Sequence, residues 1–98
     1  MTPEQAKNVL RGDDRIKARI LLGCVGLTER EKIVLNLRHF EGLTQAETIE
    51  RIPYIYSELL HISLNESIEK HTYSLNSIQN WEYSGLKKCA KCWGNLGI

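Results

Sequence analysis

The sequence has no apolar run long enough to cross a membrane. The longest, Ile20–Val25, is interrupted by Gly23 and falls far short of the roughly 20 residues that a membrane-spanning helix needs. The first residues include no basic stretch followed by an apolar one, the pattern typical of a secretory signal. We therefore expect a cytoplasmic protein with no membrane partner.

The sequence also has no large excess of basic or acidic residues. The 98 residues carry a formal net charge of only +1, which disfavours strong non-specific binding to nucleic acid. The charges are unevenly distributed, because Lys87, Lys88 and Lys91 follow the last acid, Glu82, whereas residues 53–81 hold more acids than bases. Any surface that binds nucleic acid must therefore be confined to a small, basic part of the protein. The three cysteines fit free thiols in a reducing compartment.

The sequence offers no clear metal or catalytic motif. Residues 89–92, CAKC, look like half of a zinc site, but the three histidines lack the spacing that would supply the other ligands. Cys89 is better explained as a core residue, and Cys92 as incidental. A glycine-rich phosphate loop and a nucleophile motif are both missing. We expect no enzymatic activity, no metal and no other cofactor.

Signals for the start of a helix are abundant. A Thr or Ser followed three residues later by Glu or Gln, the pattern of a capping box, begins at Thr2, Thr28, Thr44 and Ser63. Asp13 or Asp14 can cap a further helix, and Gly12, Gly23 and Gly42 mark helix ends, with Gly12 expected in the left-handed conformation. These signals predict an all-α fold, a small helical bundle.

Apolar spacing predicts which side of each helix faces the core. The helix after Thr44 should end at Pro53, since proline lacks the N–H that a helix interior needs. Residues 54–64 fit neither helical nor strand periodicity. The last helix should begin after Ser74. Its inner side should carry Leu75, Ile78, Leu86, Cys89 and Trp93.

Two blocks of the sequence resemble region four of sigma-70-type factors. Residues 27–47, LTEREKIVLNLRHFEGLTQAE, are similar to the family's helix L-x-x-R-E-x-x-V-L-x-L-R, its E-G-L-[ST] corner and the first helix of its helix-turn-helix. Residues 73–82, YSLNSIQNWE, resemble the turn and recognition helix, and residues 85–89, GLKKC, the basic helix end. Similar short proteins occur among phage and prophage regulators. The resemblance implies a helix-turn-helix domain over 27–98, after an N-terminal helical segment 1–26.

The two blocks lie farther apart than in the family, where only a few residues separate them. The favoured interpretation is an insertion at about 53–72 between the two motif helices. Alternatively, Leu64–His71 supplies the first helix of a local helix-turn-helix, which Ile68 disfavours because the family has alanine at that position. A third alternative, a recognition helix from Tyr54 onward, offers a poor polar face.

The resemblance implies a sigma-like, sequence-specific transcription regulator of phage or prophage origin, which reads a promoter or operator in double-stranded DNA with its last long helix. Asparagine and glutamine can pair bidentately with adenine, lysines contact phosphates, and a helix start can bind a phosphate through its amides. The candidate DNA-binding residues are Thr44, Gln45, Asn76, Ser77, Gln79, Asn80, Tyr83, Lys87 and Lys88.

The alternative function is a protein-interaction module on the same scaffold. It would bind RNA polymerase or act as a small subunit in DNA packaging. The low net charge and the apolar residues of 54–64 favour this alternative. A homodimer is also open, since DNA readers often pair to match two half-sites, and the inserted segment is the candidate interface.

Overall fold

The structure, a computed structural model, describes residues 1–95, with side chains as far as Cys92. Residues 96–98, the end of the predicted 27–98 domain, lie outside the described residues. The helices are α1 (Pro3–Arg11), α2 (Arg15–Leu22), α3 (Glu29–Leu35), α4 (Gln45–Leu60), α5 (Leu64–His71) and α6 (Leu75–Asn95), and a π-helical turn, Asn36–Phe40, continues α3. Over residues 1–95 the regular elements are helical, which confirms the predicted all-α bundle. Among these helices, none combines the length and apolarity that a membrane span requires.

The helices begin where the capping signals predicted. Complete capping boxes form at Thr2, Thr28 and Thr44, each with a side chain that accepts from a backbone N–H three residues on. Asp14 caps α2, and Ser63 caps α5 in the same way. Each cap satisfies an amide that the first helical turn leaves without a partner. These starts were predictable because both partners of each bond lie within one turn.

Two predicted helix ends have different outcomes. Gly42 has a φ of 78°, a left-handed conformation that glycine adopts without steric cost. The prediction of a left-handed Gly12 is wrong, because its φ of −74° and ψ of 176° are extended. The N–H of Gly12 donates to the carbonyl of Val9 at 3.2 Å, and the chain then leaves directly toward the cap of α2.

Helix α4 does not end at Pro53, so that prediction is wrong. The helix continues to Leu60, and Ile52, Pro53 and Tyr56 are all buried on its inner side. An interior proline costs about 3 kcal/mol, but each large apolar side chain that is buried returns roughly 1.5–3 kcal/mol. In addition, the hydroxyl of buried Ser67 on α5 donates to the carbonyl of Pro53. The predicted insertion at 53–72 therefore consists of an extension of α4 and the separate helix α5.

Helix α3 widens into a π-helical turn before it ends. The N–H of Glu41 donates to the carbonyl of Asn36 at 2.8 Å, which closes a wider ring than an α-helix forms. The turn places Leu37 and His39 in the interior, where they are 1% and 2% exposed. A polar ring is thereby brought inward next to α6, where it takes part in the network described below.

Helix α6 packs into two apolar clusters. One cluster joins it to α1, α2 and α3, and the other joins it to α3 and α4. The first contains Ala6, Leu10, Ala18, Leu21, Leu35, Leu86, Cys89 and Ala90. The second contains Val34, Leu37, Ile52, Tyr56 and Ile78.

The core assignments for α6 are confirmed at three positions and wrong at one. Ile78, Leu86 and Cys89 are buried as predicted. Leu75 is wrong, because it is 47% exposed at the first position of the helix, where the bundle does not cover it. The Trp93 side chain lies outside the described side chains.

Candidate nucleic-acid interface

One side of α6 faces solvent and carries most of the predicted DNA-binding residues. Asn76, Asn80, Tyr83 and Lys87 follow one another at helical spacing, and all four are exposed. Gln79 lies beside them and is exposed, whereas Ser77 is partly buried. At about 1.5 Å per residue, the side from Asn76 to Lys87 is roughly 16 Å long. We call Asn76, Gln79, Asn80, Tyr83 and Lys87 the outward face of α6.

The acid of α6 points away from this face. Glu82 is directed into the molecule, where one carboxylate oxygen lies 3.1 Å from Nε of Arg38 and the other 3.4 Å from Nε2 of His39. The contacts with His39 and then Arg38 hold the pKa of Glu82 below its ordinary value against the opposing effect of burial. Glu82 therefore remains charged and internally paired. Among the described side chains, the outward face of α6 contains no carboxylate.

The His39 ring connects α6 to α1. Nε of Arg11 donates to Nδ1 of His39 at 2.8 Å, so Nδ1 is the acceptor nitrogen. The hydrogen of a neutral ring must then lie on Nε2, which faces Glu82. Because Arg11, His39 and Glu82 belong to α1, the π-helical turn and α6, this network fixes how α6 is rotated in the bundle. The sequence carries no local signal for it, since its contacting pairs, Arg11–His39 and His39–Glu82, lie 28 and 43 residues apart.

Lys88, a predicted phosphate-binding residue, contacts another protein group. Its Nζ atom lies 2.8 Å from Oε1 of Glu31, and the hydroxyl of Ser84 donates to the other carboxylate oxygen. Burial raises the pKa of Glu31, but the bonds from Lys88, Ser84 and Thr28 outweigh it and lower the pKa to about 2. Lys87, by contrast, projects outward, with Nζ 5.4 Å from the ring centre of Tyr83.

Thr44 and Gln45 lie at the start of α4, close to the middle of α6. Arg38 links the start of α4 to α6, because it donates to the carbonyl of Leu43, just before α4, at 2.6 Å and also contacts Glu82 on α6. Thr44 is exposed and Gln45 is half-buried. The Thr44 N–H already donates to Oε1 of Glu47 at 2.9 Å, and this bond lowers the pKa of Glu47. A phosphate at this helix start would meet that carboxylate.

Helix α5 packs mainly against α4 and joins α6 through a three-residue turn. Ser67 is fully buried beside α4, whereas Ile68 is 45% exposed. The small buried residue of α5 is therefore Ser67; whether α5 is an inserted helix or a motif helix stays a prediction. Beyond the turn, the ring of Tyr73 meets that of Trp81 edge to face, with centres 4.9 Å apart.

The part of the chain that the structure describes contains no group of three or more His, Cys, Asp or Glu side chains arranged to hold a metal ion. Cys89 is fully buried, as predicted for a core residue, and burial raises the pKa of its thiol to about 12.

A search for similar proteins finds no matching protein family, curated protein or solved structure.

Proposed function

We propose that this protein is a sequence-specific DNA-binding transcription regulator that reads double-stranded DNA with the outward face of α6. The observation that carries the proposal is the composition of that face. It presents three amides, a phenol and a lysine, while the acid of the same helix, Glu82, is paired inside. Because the outward face of α6 carries no carboxylate, it adds no charge repulsion of its own toward the phosphates.

The chemistry of the face suits the major groove, which is wide enough to admit an α-helix. The amides of Asn76, Gln79 and Asn80 can each donate to and accept from an adenine edge. Lys87, at the far end of the face, would contact a phosphate and set the position of the helix. The sigma-like sequence blocks support a promoter or operator as target, a phage or prophage origin and action in the cytoplasm.

The proposal is tested by selection of DNA targets. A pool of duplexes about 30 base pairs long, randomised in the centre, is enriched on the protein, and binding to the selected sequence is measured by fluorescence anisotropy. Because one good bidentate contact contributes about 1–3 kcal/mol, Gln79→Ala with Asn80→Ala should weaken binding at least tenfold.

The matched control is Asn8→Ala with Asn65→Ala, which removes two exposed amides on α1 and α5. It should bind the selected duplex like the wild type. Equal affinity of the α6 double variant and the wild type would remove α6 as the reading helix.

The alternative, a protein-interaction module, is favoured by exposed apolar side chains on α4. Tyr54, Leu59 and Leu60 are 54%, 55% and 52% exposed, although large apolar side chains are more commonly buried. RNA polymerase or a DNA-packaging protein would be the partner. Capture of RNA polymerase that resists high salt, without measurable binding to any duplex, would favour this function over DNA reading.

A further inference from the structure

The outer side of α2 is apolar in the centre and basic at the edge. Ala18 and Leu21 face the core, so Ile16 and Ile20, on the opposite side, are 74% and 53% exposed. They stand four residues apart, one helical turn, and the exposed arginines Arg15 and Arg19 lie beside them. We call Ile16, Ile20, Arg15 and Arg19 the α2 ridge. Ile16 and Ile20 are thus the exposed large apolar side chains of α2.

A groove with the opposite charge lies between α4 and α5. It is lined by Ile49, Glu50, Pro53, Tyr54, Ile68 and Thr72 and encloses about 330 Å³. Tyr54 and Ile68 are about half exposed, at 54% and 45%. Glu50 is exposed at its rim and also borders a second shallow depression with Glu47 and Arg51. We call this the α4–α5 groove.

We propose that copies of this chain associate head to tail, with the α2 ridge of one copy seated in the α4–α5 groove of the next. Two observations select a second copy as the occupant. First, two isoleucines one turn apart offer apolar contacts to Tyr54 and Ile68. Second, the charges are complementary: Glu50 is the charged residue of the groove lining, whereas Arg15 and Arg19 flank the isoleucines of α2.

The geometry of this contact determines what assembles. Two α2 ridges repel each other, and so do two acidic grooves, so the contact must join different surfaces. A contact between different surfaces leaves one free ridge and one free groove at the ends of every assembly. Growth therefore does not stop at two copies unless a ring closes. A ridge of one eight-residue helix is small compared with a standard protein interface, so the association should be weak and salt-sensitive.

Sedimentation equilibrium on the protein alone tests the proposal without DNA, so its failure is separate from failure of the DNA-binding function. At low salt the weight-average mass of the wild type should rise with concentration from 11.3 kDa past twice that value. Arg19→Glu reverses a charge on the ridge, and Glu50→Arg reverses the charge of the groove. Each variant alone should weaken association at least tenfold.

Mixing the two variants gives the decisive result. Arg19→Glu keeps an intact groove, Glu50→Arg keeps an intact ridge, and the two reversed charges attract each other, so an equimolar mixture should regain association that neither variant shows alone. Glu58→Arg is the matched control, because it makes the same charge change at an exposed site of α4 outside the groove. It should associate like the wild type. Circular dichroism checks that each variant is folded, with Arg19→Gln and Glu50→Gln as replacements for a variant that is not.

Three outcomes would each overturn the proposal. They are a wild type that stays monomeric at low salt and high concentration, a Glu50→Arg or Glu50→Gln variant that associates as well as the wild type, and a mixture that stays monomeric.

Discussion

Nζ of Lys88 on α6 lies 2.8 Å from Oε1 of Glu31 on α3, and the Glu31 side chain is only 4% exposed. The same carboxylate caps its own helix, since the Thr28 N–H donates to it at 2.9 Å. A single acid therefore starts α3 and holds α6 against it. The two neighbouring lysines of α6 therefore differ: Lys88 pairs with the buried acid of α3, and Lys87 is exposed to solvent.

Glu31→Gln should destabilise the protein at neutral pH. Glutamine can still cap the helix, but it cannot pair with Lys88. A carboxyl whose pKa falls from an ordinary 4.5 to about 2 on folding contributes about 3 kcal/mol at neutral pH. Because the folded pKa is lowered, this contribution is present above pH 4.5 and is lost as the pH falls toward 2. Urea unfolding of both proteins at several pH values measures the loss.

The gap in unfolding free energy between wild type and Glu31→Gln should thus narrow steadily below pH 4.5. Glu4→Gln, at an exposed acid of α1, serves as the control and should change stability little at any pH. A gap for Glu31→Gln that stays constant from pH 7 to pH 3 would show that its charge does not stabilise the fold.

Lys87→Ala should weaken DNA binding, whereas Lys88→Ala should lower the stability of the fold. Lys87 lies in the outward face of α6, so its loss should remove about one phosphate contact and lower the slope of log K against log salt by about 0.9. Lys88→Ala should leave that slope unchanged and lower stability, because it strands the buried carboxylate of Glu31. Anisotropy titrations over a range of salt, with urea unfolding of each variant, distinguish the two. A fall in slope for Lys88 alone would reverse the assignment.

Sequence patterns predicted the helix starts because capping is local. Thr28 and Glu31 satisfy each other within one turn, and the same spacing at Thr44 and Glu47 gives the same result. The second bond of Glu31, to Lys88, spans 57 residues and leaves no periodic signal in the sequence. The exposed amides of α6 could be predicted from helical spacing, but the inward direction of Glu82 could not, since it depends on Arg38 and His39.

Two of the failed predictions have a common physical cause. Pro53 was assigned from local preference and Leu75 from apolar spacing, whereas the tertiary packing of the bundle decides both positions. Proline has an unfavourable helix propensity, but the tertiary packing of α4 compensates for it and keeps Pro53 inside the helix. Leu75 has the right spacing for the core but lies at the end of the helix, where the bundle does not reach.

Ser67 should tolerate only small replacements. Ser67→Ala keeps the volume approximately and loses the bond to the Pro53 carbonyl, which should cost about 1 kcal/mol. Ser67→Leu forces a larger side chain between α5 and α4 and should cost roughly 1–3 kcal/mol or separate the helices. Asn65→Leu, at an exposed position of the same helix, controls for the added apolar surface. Equal thermal stability of Ser67→Leu and the wild type would contradict close packing of α5 on α4.

The most direct test of DNA reading by α6 is an NMR titration of the labelled protein with its selected duplex. We predict that the side-chain amide signals of Asn76, Gln79 and Asn80 shift most, together with the backbone amides up to Lys87. The amides of Asn8 and Asn65 should stay in place. Shifts confined to α4 and α5, or an unchanged spectrum with every duplex at low salt, would contradict the account.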